Sequence, residues 1–229
     1  MKTVGLIGGL MWPSTIDYYR LLNQKVNEKL GGVEAAHVII YSVNFAEIKT
    51  LTIAQDWQGI AVIIIDAANK LVAAGATCIL IGANTMHKIA DEVQEAITVP
   101  VIHITMETAK VVAAQQIKKV ALLGTKYTMQ LSFYKDKLAA QGITTIIPDE
   151  PGIEFINNAI YNEMSKDLFL PATKQKFIKI IQQLQQQGAE GVILGCTEIP
   201  ILIKPQDVTI PVFNTISIHV NAAIEFAFS

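Results

Sequence analysis

The sequence has few cysteines: Cys78 and Cys196 are the only two, and 118 positions separate them. Two isolated thiols exclude a disulfide framework and the closely paired cysteines of a structural zinc site. We therefore expect a protein of the reducing cytoplasm that holds no metal.

Charge of either sign is scarce and evenly balanced. Lysine and arginine total 18 against 20 acidic residues, a formal net charge of −2, and Arg20 is the only arginine. No basic stripe interleaved with aromatic residues occurs, which excludes the electrostatic footprint of a nucleic-acid-binding protein. The longest apolar runs, such as Ile60–Ile65, are far shorter than the roughly 20 residues that a membrane-spanning helix needs. We expect no nucleic-acid or membrane partner.

What the sequence does contain is an internal repeat. Residues 75–85 (Gly-Ala-Thr-Cys-Ile-Leu-Ile-Gly-Ala-Asn-Thr) reappear as residues 188–198 (Gly-Ala-Glu-Gly-Val-Ile-Leu-Gly-Cys-Thr-Glu). In both copies an apolar run stops at a glycine, and a small residue and a hydrogen-bonding residue follow. This order is typical of a buried parallel strand that leads into a helix. The copies differ in chemistry because Ala83 stands at the position of Cys196.

A second match extends the repeat, since Val4–Gly9 resembles Val120–Thr125. Several matches in the same order indicate a duplication rather than an accident. Apolar segments alternate with amphipathic helical segments, which is typical of an α/β fold with mainly parallel sheets flanked by helices. We predict two similar, pseudo-symmetric lobes with the active site between them. The predicted lobes are residues 1–98 plus 211–229, and residues 99–210.

Strand and helix boundaries can be predicted from the same pattern. We place Pro13 and Pro200 in first helical turns, and Gly75, Gly142 and Gly188 at helix ends. The predicted strands are Val4–Ile7, Val38–Tyr41, Cys78–Ile81, Val101–Ile104, Val120–Leu123, Thr144–Ile147, Gly191–Leu194 and Val212–Phe213.

Ligands of open parallel sheets bind beyond the carboxyl ends of the strands. Neutral hydrogen-bonding side chains follow four of the predicted strands, and such groups suit the binding of carboxylates. They are Ser14 and Thr15, Asn84 and Thr85, Thr125 and Thr128, and Thr197. Helix capping is the alternative role for each hydroxyl.

Cys196 is the candidate reactive group. A thiol at a helix N-terminus has its thiolate stabilised by the helix dipole and free amides, so Cys196 could act as a nucleophile or proton carrier. Inert packing in the core is the alternative. Cys78 lies inside a predicted strand, where we expect core packing.

The chain resembles the aspartate/glutamate racemases, which interconvert L- and D-amino acids without a cofactor. The resemblance covers essentially the whole chain and is closest to the bacterial enzymes specific for L-aspartate and L-glutamate. Four motifs carry it: Leu6–Leu10 with Ser14 and Thr15, Asn84–Lys88, Leu123–Thr125 with Thr128, and Gly195–Glu198.

In the usual pattern of that family, two thiols flank the substrate Cα: one removes the α-proton and the other delivers a proton to the opposite face. The resemblance implies that Cys196 is one of these acid/base residues, that no cofactor takes part, and that the protein is a homodimer. It implies a small amino-acid or dicarboxylate substrate. The substrate-binding residues that it implies are Leu10, Ser14, Thr15, Thr52, Asn84, Thr85, Thr125, Thr128, Thr197 and Glu198.

The chain departs from the family at Ala83, which occupies the other acid/base position. A methyl group carries no exchangeable proton, and the L-specific relatives have threonine there. Symmetric two-base racemisation is therefore excluded, and we expect an aspartate/glutamate racemase that is impaired or biased toward the L-enantiomer.

Many aspartate racemases also have a lysine where Ser165 stands here, and we expect the adjacent Lys166 to be a solvated surface charge.

Two other functions remain compatible with a single thiol. Relatives that act on arylmalonates use one cysteine to protonate an enediolate, so the chain could be a decarboxylase of malonate-type substrates. A non-catalytic carboxylate-binding protein is the second alternative, for which Ala83 is the supporting feature.

Overall fold

Short apolar segments form two separate parallel sheets in the computed structural model, which describes residues 1–229. The first sheet contains β1 (Val4–Gly8), β2 (Val38–Ser42) and β3 (Cys78–Ile81) in the order β2-β1-β3. Val4 pairs with Val38 on one side and Cys78 on the other. Every residue of the central β1 is buried, which explains why its sequence is continuously small or apolar.

The second sheet contains β4 (Lys119–Gly124), β5 (Thr144–Ile146), β6 (Gly191–Gly195) and β7 (Val212–Asn214) in the order β5-β4-β6-β7. All of its pairings are parallel. In the central pair, Gly124 lies opposite Gly195 at the carboxyl ends of β4 and β6. The carboxyl ends of the strands therefore meet at one edge of this sheet.

Helices connect successive strands, so the predicted α/β class with parallel sheets and flanking helices is confirmed. The helices are α1 (Trp12–Leu30), α2 (Phe45–Ile53), α3 (Trp57–Ala73), α4 (Ala90–Ala96), α5 (Ile104–Ala114), α6 (Lys126–Gln130), α7 (Ser132–Ala139), α8 (Glu150–Asn162), α9 (Pro171–Gln186), α10 (Ile199–Leu202) and α11 (Thr215–Phe228). Short 3₁₀ helices cover Thr85–Ile89, Met164–Lys166 and Pro205–Asp207. No helix has both the length and the apolar character needed to cross a membrane.

Helix boundaries follow the predicted signals. Pro13 and Pro200 lie in the first turns of α1 and α10, where a missing amide proton leaves no hydrogen bond unmade. Gly75, Gly142 and Gly188 follow helices α3, α7 and α9 with positive φ angles of 100°, 70° and 97°. Glycine has no Cβ to oppose this left-handed conformation.

The chain forms two compact units, residues 1–103 with 219–229, and residues 104–218. We placed these boundaries at 98/99 and 210/211 from the sequence. The first differs because residues 100–102 hydrogen-bond to Ile79 of β3. The second differs because β7 pairs with β6 and therefore belongs with the second sheet.

The predicted strand at Val101–Ile104 is wrong beyond its first residue. Val101 forms only an isolated bridge with Ile79. The carbonyl of Ile102 accepts a hydrogen bond from the His219 side chain instead of a strand neighbour, at 2.6 Å. Ile104 already begins α5.

Each unit has its own apolar core. In the first unit, α3 and α4 pack on the sheet through residues such as Ile60, Ile64 and Val93. In the second unit, Val112 of α5 and Leu138 of α7 pack with Leu122, Ile193 and Phe213 of the sheet. The two sheets are therefore stabilised by separate sets of buried side chains.

A cluster of buried histidines lies in the first unit. The His219 Nε2 atom donates to the Ile102 carbonyl, so its Nδ1 atom accepts from the Tyr18 hydroxyl at 2.8 Å. The ring centroid of His87 lies 4.6 Å from that of His103 and 5.5 Å from that of His219. Burial lowers the pKa of His219 to about 3 and the pKa of His87 well below its usual value, an effect that the neighbouring imidazoles strengthen. Both rings are therefore neutral in the folded protein at neutral pH.

We predict that acid destabilises the protein below about pH 6.5, where histidines of the unfolded chain take up protons. Because the folded-state pKa values are lowered, each of His87 and His219 contributes a loss of about 1.4 kcal/mol per pH unit as the pH falls. Denaturant unfolding from pH 7.5 to 5.0 measures this slope. The variant His87→Gln should reduce the slope by about one histidine's share, and the same substitution at the exposed His37 serves as the matched control. Equal slopes for wild type and His87→Gln would contradict the prediction.

Candidate active site

The end of β6 places Cys196 inside the second unit. Strand β6 ends at Gly195, and Cys196, Thr197 and Glu198 form the connection to α10. These three side chains are buried, with 6%, 3% and 0% of their surface exposed. A thiol, a hydroxyl and a carboxyl group therefore lie together in a low-dielectric environment.

Hydrogen bonds join these three side chains. The Cys196 Sγ atom donates to Glu198 Oε2 at 3.1 Å. The Thr197 hydroxyl donates to the same oxygen at 2.8 Å. Glu198, which the family resemblance assigned to substrate binding, thus has a direct contact with the candidate reactive sulfur.

The protonation state of Cys196 differs from the one expected at a helix N-terminus. Burial raises the pKa of the Cys196 thiol well above its usual value, and the Glu198 carboxylate raises it further. Backbone amides of Thr197 and Glu198 act in the opposite direction but do not compensate. Helix α10 has only four residues, so its dipole is too small to offset the loss of hydration. Cys196 is therefore a neutral thiol in the folded chain.

The end of β4 lies beside the end of β6 and contributes two threonines. Thr125 caps α6, and its hydroxyl oxygen lies 3.2 Å from both the amide nitrogen and the hydroxyl oxygen of Thr128. A Cβ added to Gly124 would lie 2.7 Å from the Gly195 carbonyl oxygen and 3.1 Å from the Thr128 Cβ atom. The paired glycines thus allow Thr128 to pack directly over the ends of the two central strands.

Tyr161 of α8 is a neighbour of Cys196 that sequence reasoning missed. Burial raises the pKa of Tyr161, and electrostatic interactions with Cys196 and Tyr127 raise it further. Helix periodicity alone gave no signal, because Tyr161 is half-buried near the end of an amphipathic helix.

In the first unit, the residues after β1 form a local hydrogen-bond network. The Ser14 and Thr15 hydroxyls donate to the Met11 carbonyl at 3.0 and 3.2 Å, and Thr15 accepts from the Gly9 amide at 2.9 Å. Met11 has a φ angle of 142°, a conformation that non-glycine residues rarely adopt. The two hydroxyls therefore stabilise the tight connection from β1 to α1, and neither residue is the N-cap of α1, which is Met11.

The end of β3 brings Ala83, Asn84 and Thr85 next to one another. Ala83 is half-buried and packs against the first core, whereas Asn84 and Thr85 are buried, with 2% and 7% exposed. The 3₁₀ helix that begins at Thr85 turns His87 back so that its Nε2 atom lies 3.3 Å from the Ile81 carbonyl oxygen. This segment has buried amide and hydroxyl groups but no thiol.

The remaining predicted residues have the following contacts and exposure. Thr52 is buried in α2, where its hydroxyl donates to the Ile48 carbonyl at 2.7 Å, and Leu10 belongs to the first core. Cys78 is buried in β3, and burial raises the pKa of its thiol to about 11, as expected for a packing residue. Lys166 is exposed.

Polar groups therefore lie at the strand ends of each unit. No group of three or more histidine, cysteine, aspartate or glutamate side chains is arranged to hold a metal ion. A buried thiol hydrogen-bonded to a carboxylate can exchange a proton, and neutral amide and hydroxyl groups can bind carboxylates. The arrangement suits proton transfer on a carboxylate-bearing substrate.

Comparison with known proteins finds amino-acid racemases. A family model described as Asp/Glu/hydantoin racemase matches residues 7–223. The broad specificity amino-acid racemase RacX of Bacillus subtilis is 26% identical over 219 residues, which cover 93% of this chain and 92% of the relative.

Solved structures agree over the full length of the chain. A candidate Asp/Glu racemase from Yersinia pestis is 43% identical with a TM-score of 0.92. An aspartate racemase homologue from Pyrococcus horikoshii is 36% identical with a TM-score of 0.87. Both comparisons cover 100% of each chain. The chain therefore belongs to the Asp/Glu/hydantoin racemase family and is an enzyme of the racemase class.

Proposed function

We propose that the protein removes and returns the α-proton of aspartate or glutamate, with Cys196 as its thiol acid/base. The observation that carries the proposal is the buried hydrogen bond between the Cys196 sulfur and the Glu198 carboxylate, because it joins the candidate base to a proton acceptor. No cofactor is required, since the chain's own side chains supply the proton transfer.

The proposed substrate class rests on the relatives and on the chemistry of the buried polar groups. The relative from Yersinia pestis is described as a candidate Asp/Glu racemase. Asn84, Thr85, Thr128 and Thr197 are buried neutral hydrogen-bonding residues, and such groups bind carboxylates without competing ion pairs. Hydrogen bonds to the α-carboxylate would also stabilise the negative charge that develops when the proton leaves.

Ala83 makes the proposed reaction one-sided. A methyl group at the position equivalent to Cys196 cannot return a proton to the opposite face of Cα. Cys196 should therefore exchange the α-proton of the L-enantiomer more often than the enzyme inverts it. Inversion would depend on water or a distant group, and losing a positioned acid typically costs about 10²–10⁴ in rate.

We predict that the enzyme exchanges the α-proton of L-aspartate or L-glutamate in D₂O and forms little of the D-enantiomer. Proton NMR measures the exchange and chiral chromatography measures the inversion. Cys196→Ser should lower the exchange rate by at least about 10²-fold, whereas the core variant Cys78→Ala should retain it.

Three other outcomes of this experiment would contradict the proposed function. Undiminished exchange in Cys196→Ser would rule out the proposed base. Release of CO₂ from substituted malonates without amino-acid exchange would establish a single-thiol decarboxylase. Substrate binding without either reaction would establish a carboxylate-binding protein.

Restoring a proton donor at residue 83 should increase inversion. We expect Ala83→Cys to raise the ratio of inversion to exchange by about 10²-fold or more, and Ala83→Thr to raise it less because a hydroxyl is a weaker acid. Ala83→Val matches threonine in shape and has no exchangeable proton, so it controls for side-chain volume. Equal ratios in the threonine, valine and cysteine variants would contradict the proposed role of this position.

We also propose a homodimer, in which α1 contributes to the interface. Trp12, Ile16 and Tyr19 lie on one face of α1 and are 55%, 57% and 53% exposed, an unusual concentration of large apolar side chains. Light scattering should give twice the chain mass of 25.0 kDa. Ile16→Glu should shift the mass toward the monomer, whereas Val33→Glu should not, because fully exposed Val33 lies outside this face. A monomeric wild type would reject the proposal.

A further inference from the structure

Cys196 and Glu198 form a hydrogen-bonded pair of buried groups. The thiol donates to the carboxylate across 3.1 Å, and the side chains are 6% and 0% exposed. Thr197 holds the same carboxylate oxygen through a 2.8 Å hydrogen bond. The oxygen is therefore fixed next to the sulfur by a second donor.

The two groups of this pair also occur together in the repeat. Residues 83 and 85 of the first copy correspond to residues 196 and 198 of the second. The first copy has Ala83 and Thr85 there, so it lacks both the thiol and the carboxyl group. At the strand ends, the carboxyl group is thus present only in the copy that has a thiol two residues before it.

A neighbouring proton acceptor gives a buried thiol a route to the thiolate near neutral pH. Ionising Cys196 by releasing its proton to solvent would place two negative charges within hydrogen-bond distance in a low-dielectric environment, which is strongly unfavourable. Moving the proton from sulfur to the carboxylate keeps the total charge of the pair at one. The pair can therefore generate a thiolate without adding a charge to the buried site.

We propose that Glu198 is the proton acceptor that activates Cys196. In the first step the S–H bond breaks and an O–H bond forms on Glu198 Oε2, which leaves a thiolate beside a neutral carboxyl group. In the second step the thiolate removes the α-proton, so that the Cα–H bond breaks, an S–H bond forms and the electron pair passes into the substrate carboxylate. Both steps reverse when the proton returns. This inference rests on the proposed role of Cys196, and Glu198 acts through that residue.

The pH dependence of α-proton exchange distinguishes this role from a structural one. With Glu198 present, the active form is the pair with one proton, so the exchange rate should be nearly constant around neutral pH. In Glu198→Gln the active form is the free thiolate. Its exchange rate should be about 10²-fold lower at pH 7 and rise about tenfold per pH unit toward the thiol pKa. Tyr161 and Tyr127 are the titratable side chains that interact with this region from α8 and α6, and the raised pKa of Tyr161 keeps it neutral in this range.

The substitution Glu198→Gln should make the Cys196 thiol more acidic although it slows α-proton exchange. Removing the Glu198 charge removes one cause of the raised pKa of Cys196. Thiolate absorbance, taken as the difference from Cys196→Ser, should therefore appear at lower pH in Glu198→Gln than in wild type. A variant with a more acidic thiol and slower exchange at neutral pH is the signature of a lost proton acceptor.

Matched variants complete the experiment. Glu154→Gln changes an exposed glutamate on α8 and should leave both profiles unchanged. Thr197→Val removes a hydrogen bond to Oε2 but keeps the pair, so its profile should stay flat near neutral pH. If Glu198→Gln fails to fold by circular dichroism, Glu198→Asp replaces it. The shorter acid should lower the exchange rate and retain the flat profile.

The outcomes separate this proposal from the proposed function. Identical thiol titration in wild type and Glu198→Gln, or pH profiles of equal shape, would overturn the role of Glu198 even if Cys196 is the base. Exchange that survives Cys196→Ser would overturn the role of Cys196, and with it this inference. If wild type shows no exchange, the thiol titration still decides whether the two groups share a proton: an unchanged titration overturns the pair and a shift to lower pH supports it.

Discussion

The parallel pairing of the central strands is the constraint that positions the candidate site residues at the strand ends. In the second unit, Gly124 pairs with Gly195, so the residues that follow β4 and β6 start from the same edge of the sheet. In the first unit, the pairing of Ile7 with Ile81 does the same for the residues after β1 and β3. A slip of one residue in either register would turn every side chain of the shifted strand to the opposite face of the sheet. The strand register therefore positions the side chains that follow the strands.

Burial then decides the protonation states of the groups at these edges. His87 and His219 are neutral because the interior disfavours their charged forms, and Cys196 is a neutral thiol for the same reason. The groups differ in their partners. His219 is held between the Tyr18 hydroxyl and the Ile102 carbonyl, which stabilise one tautomer. Cys196 faces a carboxylate, which can accept its proton.

The internal duplication shows how one backbone pattern supports two different chemistries. Both copies end a buried strand with glycine, and a small residue and a hydrogen-bonding residue follow. In the first copy the chain enters a 3₁₀ helix and presents Ala83, Asn84 and Thr85. In the second it enters the short α10 and presents Cys196, which donates a hydrogen bond to the buried Glu198 carboxyl group. Only the second of these strand ends is followed by a thiol and a carboxyl group.

Much of the fold was predictable because its signals are local. Short apolar runs bounded by glycine predicted the strands, and Pro13, Gly75 and Gly188 marked helix ends through restricted backbone angles. The segment at Val101–Ile104 was mispredicted because its hydrogen bonds come from distant groups. Ile102 bonds to His219, 117 positions away, and no local pattern contains that contact.

The sequence by itself determined the α/β class, the duplication, the family resemblance and the identity of Cys196 as the single candidate thiol. The tertiary structure decided what that thiol can do. A helix N-terminus suggested a stabilised thiolate, whereas burial and the Glu198 carboxylate raise the thiol pKa instead. The reason is physical: residue types and spacing specify which groups are present, but hydration and the nearest charge set their protonation, and both depend on how distant segments pack.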